Sequence, residues 1–157
     1  MGYRSDVRIV VSQKGYREME KFLERYIIKK NLARDVIFDF FYNTDVVNEN
    51  KYEKYFGWND VKWDQGFDES DSVDAALKYL KESGYSYNFS RIGEDYFDMV
   101  EHGCTGPLDA KNYIYVDYPF IERKFADKDM TRELEKQTKF IAEKLGEIQD
   151  KKNDYER

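Results

Sequence analysis

Two hydrophobic periods take turns along this chain, and their order limits the fold more than any single residue does. Apolar residues two apart mark a strand with one covered face, and spacings of three and four mark a helix with one covered stripe. From Arg4 to Ser12, Ser5, Val7, Ile9 and Val11 alternate with Arg4, Asp6 and Arg8, and the run turns fully apolar at Val10 and Val11. This predicts a strand. Ser12 can cap the helix that follows, where Tyr16, Met19, Phe22, Leu23, Tyr26 and Ile27 recur at helical steps as far as Asn31.

The alternation of periods continues downstream. Asp35 to Asn43 reads as a second, central strand, with Val36, Phe38, Phe40 and Tyr42 on one face and Ile37, Asp39 and Phe41 on the other. The polar stretch Thr44 to Lys54 reads as a hairpin connection or a flexible loop. Tyr55 to Trp63 predicts a third strand, with an irregularity at Gly57 or a turn at Asn59-Asp60. The cluster Asp68 to Ser72 then caps a helix carried by Val73, Ala76, Leu77 and Leu80 and closed by Gly84.

Tyr85 to Ile92 forms a further strand with Tyr85, Tyr87 and Phe89 on one face. Gly93-Glu94-Asp95 makes a turn, and Tyr96 to Glu101 returns as its hairpin partner. Residues 113–118 alternate again and predict a strand. A long helix begins near Asp129, with Met130, Leu134, Gln137, Ile141, Leu145 and Ile148 in a narrow stripe.

The order is that of an α+β fold, ferredoxin-like (the split β-α-β plan) over residues 1–92, with helices on one face of an antiparallel sheet. Residues 93–126 add strands, 127–150 form the terminal helix, and 151–157 fray. The length suits one domain spanning 1–157. The terminal stripe approximates a heptad over too short a span for a stable coiled coil. Packing on its own sheet is the main expectation, and a homodimer through this helix the lesser one.

Fourteen Tyr, eleven Phe and two Trp share the chain with 26 basic and 32 acidic residues. The charge is uneven: residues 44–110 hold six Lys/Arg against fifteen Asp/Glu. Such a segment repels phosphate backbones, which argues against direct nucleic-acid binding, and it attracts basic protein surfaces. No apolar run is long enough for a membrane span, the N-terminus lacks a secretory core, and one cysteine permits no internal disulfide. A cytoplasmic protein is expected.

Little here suggests chemistry. The single His102 and single Cys104 stand two apart with no third group to orient them, so no catalytic residue is assigned. The carboxylates around residues 60–71 and 94–101 lack the spacing of a calcium loop, so neither a metal nor a cofactor is expected. A small-ligand site offers an alternative, with a nucleotide signal held between Tyr85, Tyr87, Arg91, Arg4 and Arg8. A carboxylate- or metal-dependent enzyme is a third reading.

Three strings, Met1-Gly2-Tyr3-Arg4-Ser5-Asp6-Val7, Asp60-Val61-Lys62-Trp63 and Arg91-Ile92-Gly93-Glu94-Asp95, resemble a family of small uncharacterised proteins of tailed bacteriophages and prophages. The resemblance implies a phage-encoded, non-catalytic protein that inhibits a host anti-phage defence factor, such as a CRISPR nuclease complex, in the bacterial cytoplasm. Its contact surface would be acidic, made by Asp60, Asp64, Asp68, Glu94, Asp95 and Asp98. Trp58 or Trp63 would serve as anchors against a basic host protein.

Overall fold

The computed structural model describes residues 4–155; Met1, Gly2 and Tyr3 of the opening string, and the last two residues of the tail, lie outside the described residues. Strands β1 (Ser5–Ser12), β2 (Val46–Glu49), β3 (Glu53–Val61), β4 (Tyr87–Ile92) and β5 (Met99–Cys104) form one sheet. Its order is β2-β3-β1-β4-β5, and every neighbouring pair is antiparallel. The fold is α+β. The strand added after the βαββαβ unit is present as β5, the second added strand is not, and the first crossover gains a second helix.

Helix α1 (Gln13–Lys30) starts where expected. Ser12 is its N-cap, and the Ser12 hydroxyl accepts the Gly15 N–H at 2.9 Å. Asn31, left-handed at φ 54°, closes it. Its buried stripe of Tyr16, Met19, Leu23 and Ile27 packs on Val7, Ile9 and Val11 of β1. Helix α3 (Asp68–Ser83) ends at Gly84 with φ 88°. Its N-cap is Phe67, which makes no side-chain cap bond; the serines expected to cap it are buried instead, Ser70 bonding the Asp64 and Phe67 carbonyls.

The segment expected as a second strand is a helix, α2 (Arg34–Tyr42). Six of its nine residues are apolar, so an alternating and a helical reading fit equally well. Packing decides between them. Ile37, Phe38 and Phe41, spaced one and three apart, turn inward, and Phe41 stacks on Tyr16 at 5.1 Å. The polar stretch after it holds edge strand β2. There Asn50 makes the turn into β3, its side-chain oxygen accepting the Tyr52 and Glu53 N–H groups at 2.7 Å each.

At Gly57 a Cβ would collide with the Val7 carbonyl oxygen, so only glycine lets β3 run this close to β1. The register slips between Ser5 and Val7, opposite Asp60 at φ 54°, so the irregularity foreseen at residues 59–60 is a bulge inside one continuous strand. The hairpin partner of β4 lies at residues 99–104, three later than expected, because residues 93–98 are all used by the turn.

Helices do not keep to one face. α1, α2 and α3 cover the face of Val7, Ile9, Phe56 and Phe89, while α5 (Asp127–Tyr155) covers the other with Met130 and Leu134 against Val10 and Tyr55. α5 continues past 150, where the tail was expected to fray. Between β5 and α5 lies a short helix, α4 (Pro107–Ala110), and then an irregular segment. The strand expected at 113–118 does not form. Ile114 is buried and Val116 half-buried, so the alternation exists, but Asn88 and Gln137 side chains take the carbonyls of Val116 and Tyr115 that a neighbouring strand would have used.

Candidate functional site

β1 begins, β3 and β4 end, and β5 begins at one end of the sheet, as the pairs Ser5–Val61, Asp6–Ile92 and Ile92–Met99 establish. The β3–α3 connection carries Asp64 and leads into Asp68, and the β4–β5 connection carries Glu94, Asp95 and Asp98. All six carboxylates singled out from the sequence therefore belong to the same end. Asp60 and Glu94 come together directly, lining one 360 Å³ cleft with Arg4, Asp6 and Arg123. Arg4 ties this cleft, its backbone N–H donating to Glu94 Oε1 at 2.8 Å and its guanidinium to the Asp60 carbonyl at 2.9 Å. The relief is acidic but interrupted by arginines.

The β4–β5 turn is held from both sides. Gly93 N–H donates to the Asp98 carbonyl at 2.7 Å, and Asp98 N–H to the Asp95 carbonyl at 3.0 Å. Arg91 grips the Asp98 carboxylate through two nitrogens, each at 3.0 Å. Arg123 donates to the Asp95 carbonyl at 2.7 Å and lies 5.2 Å from the Tyr96 ring centre. On this fixed turn Tyr96 is 67 % and Phe97 90 % exposed, packed edge to face against each other at 5.1 Å. Met99 and Val100 of edge strand β5 extend the exposed apolar surface.

Trp58 and Trp63, expected as anchors, are core residues. Trp58 is 2 % exposed, stacks on Phe40 at 4.6 Å and donates its indole N–H to the Phe40 carbonyl. Trp63 packs between Trp58 and Phe89 and donates to Asp74 at 3.3 Å. Indoles with a partner for their N–H are satisfied inside, whereas Tyr96 and Phe97 stand exposed.

The residues proposed to hold a small ligand scatter. Arg8 is 3 % exposed and spends its guanidinium on the Val7 and Trp58 carbonyls, Asn59 and Asp127, with its plane 4.7 Å from the Phe125 ring. Arg4 belongs to the acidic end, and Tyr85 precedes β4. Tyr87 and Arg91 do meet, in a second cleft of 430 Å³ between α3 and the β4–β5 face. There the antiparallel register sets Phe89 opposite His102 and Arg91 opposite Val100, while Asp74, Lys78 and Lys81 descend from α3. Beyond Tyr87 and Arg91, the sequence offered one signal for the α3 wall of this cleft, the flank where 74, 78 and 81 share a side.

His102 lies on Phe89, ring centres 4.6 Å apart, and its Nδ1 hydrogen-bonds the Tyr87 hydroxyl at 2.8 Å. Burial, then the Lys81 ammonium, hold the imidazole below its ordinary pKa. Loss of solvent pushes the Asp74 carboxyl up to about 6, opposed by the Trp63 indole N–H, although much of the residue stays exposed. Cys104 is half-buried, its thiol raised by burial and donating to the Tyr85 carbonyl at 3.4 Å.

Among the described residues no group of three or more His, Cys, Asp or Glu is placed to hold a metal ion. No helix among them is long and apolar enough to cross a membrane. On α5, Phe140, Leu145 and Ile148 remain exposed. Compared with family models, with curated proteins and with solved structures, the chain matches none.

Proposed function

We propose that this protein acts by binding another protein, with no bond made or broken. Tyr96 and Phe97 on the β4–β5 turn serve as the anchor, and the carboxylates of the same sheet end serve as the rim. The observation that carries this reading is Phe97, 90 % exposed on a turn that Arg91 and Arg123 hold in place. Water-exposed aromatics of this size on a rigid backbone are costly to keep unless a partner covers them, and preorganisation spares the entropy of ordering them on contact.

Charge selects the partner. Asp60, Asp64, Asp68, Glu94 and Asp95 surround the anchor's end of the sheet and suit a basic surface with an apolar pocket, which they steer and hold in register. The resemblance to tailed-phage proteins adds the biological setting: a host defence factor whose basic groove the acidic end occupies. For the fold we propose the ferredoxin-like reading for β1 to β4 alone, on the ground of the helical crossovers β1-α1-α2-β2 and β3-α3-β4.

The test is retention of basic proteins from bacterial lysate by the immobilised chain, eluted with rising salt. The reading expects a partner released by salt and lost from a variant carrying Asp60→Asn, Asp64→Asn, Glu94→Gln and Asp95→Asn together. A partner retained equally by that variant refutes it.

A further inference from the structure

The acidic segment 44–110 contains six cations, and the fold brings three of them, Lys78, Lys81 and Arg91, to one cleft. Such convergence, against the charge of the surrounding chain, concentrates positive potential where a concave surface can focus it. Among the described residues neither Lys78 nor Lys81 forms an ion pair, so both ammonium groups are available to an anion. Arg91 is committed to Asp98 and also donates to the Ser5 hydroxyl at 3.0 Å, which fixes its position at the cleft wall.

The rest of the cleft is built for a ring. His102 rests on Phe89, and the Tyr87 hydroxyl at its Nδ1 sets the imidazole orientation. A neutral imidazole stacked on a buried aromatic is a flat, polar platform, which adds hydrogen bonding that Phe89 alone lacks. The volume of 430 Å³ falls in the range of small-molecule sites, roughly 300–1,000 Å³.

We infer that the α3–β4–β5 cleft binds a small phosphate ester carrying a planar ring, of nucleoside monophosphate class, with Lys78 and Lys81 on the phosphate and His102 against the ring. Asp74 stands at the same wall and limits how much negative charge the cleft accepts, which favours a monophosphate over a polyphosphate chain. The groups assigned to the ligand, Lys78, Lys81 and His102, are not residues of the protein-binding end; Arg91 alone is shared, since it also holds Asp98 of the β4–β5 turn.

Isothermal titration with adenosine 5′-monophosphate, inorganic phosphate and adenosine, on the full chain and on a Lys78→Gln/Lys81→Gln variant, tests it. Both lysines are exposed, so the variant keeps the fold, checked by circular dichroism. The monophosphate should bind more tightly than either half of the molecule, and the variant should lose about tenfold of that affinity, with Asp74→Asn gaining a few-fold. Equal binding of inorganic phosphate would remove the ring from the inference. Undiminished binding by the lysine variant, or no binding by the parent at millimolar ligand, would overturn it outright.

Discussion

Glu53 is 2 % exposed at the start of β3, opposite Ser12, and its Oε1 has no hydrogen-bond partner. Burial first, then the nearby Asp117 and Asp109, push its carboxyl from an ordinary 4.5 up to about 8. The folded protein therefore keeps this proton at neutral pH, whereas the unfolded chain releases it. Between those two values the folded state binds more protons than the unfolded state, so stability falls as pH rises, by about 1.4 kcal/mol per unit. At about pH 7 the accumulated loss is about 3 kcal/mol, a large fraction of an ordinary folding free energy. Glu53→Gln keeps the shape and removes the titration. Urea unfolding at about pH 5, 6, 7 and 8 should show the variant gaining on the parent steadily with pH, from near equality at the acid end. Parallel stability curves would refute the assignment of a proton to Glu53.

Trp58→Ala should lower stability by about 3–5 kcal/mol through the cavity it leaves, while Phe97→Ala should move it by no more than about 0.5 kcal/mol, both read from urea midpoints. Ser12→Ala removes the cap of α1 and should cost about 1 kcal/mol in the same assay. His102 should titrate below its ordinary value in an NMR pH series, and Lys81→Gln should move it upward, because the ammonium is one of the two causes of the depression.

The parts of the fold that were legible in the sequence are those where period, cap and burial agree. In β1 and α1 the alternation of Val7, Ile9 and Val11 gives way at Ser12, the cap, to the spacing of Tyr16, Met19, Leu23 and Ile27. α3 was legible from its stripe and Gly84. α2 was not, since a nine-residue segment apolar on nearly every side has no period to read, and only contact with Tyr16 and Trp58 selects the helix. Residues 113–118 show the converse: an alternating pattern can be satisfied by an extended segment whose carbonyls bond side chains.

The candidate surfaces divide in the same way. That the carboxylates of two separate connections share one sheet end follows from strand order, which local patterns do not fix. The tryptophans drew attention by size, yet their indole N–H groups find Phe40 and Asp74 inside. The exposed pair is Tyr96-Phe97, whose only sequence signal is two adjacent aromatics inside an acidic turn. The cation cleft was half legible through Tyr87 and Arg91, while Lys78, Lys81 and His102 join them only through the packing of α3 beside β4 and β5.

Titration of the isolated partner protein against the parent chain and a Tyr96→Ala/Phe97→Ala variant tests the central proposal most directly. A hairpin anchor of this kind predicts an affinity loss of about thirtyfold or more with the fold and its stability unchanged. An unaltered affinity would contradict the account and move the contact surface elsewhere on the molecule.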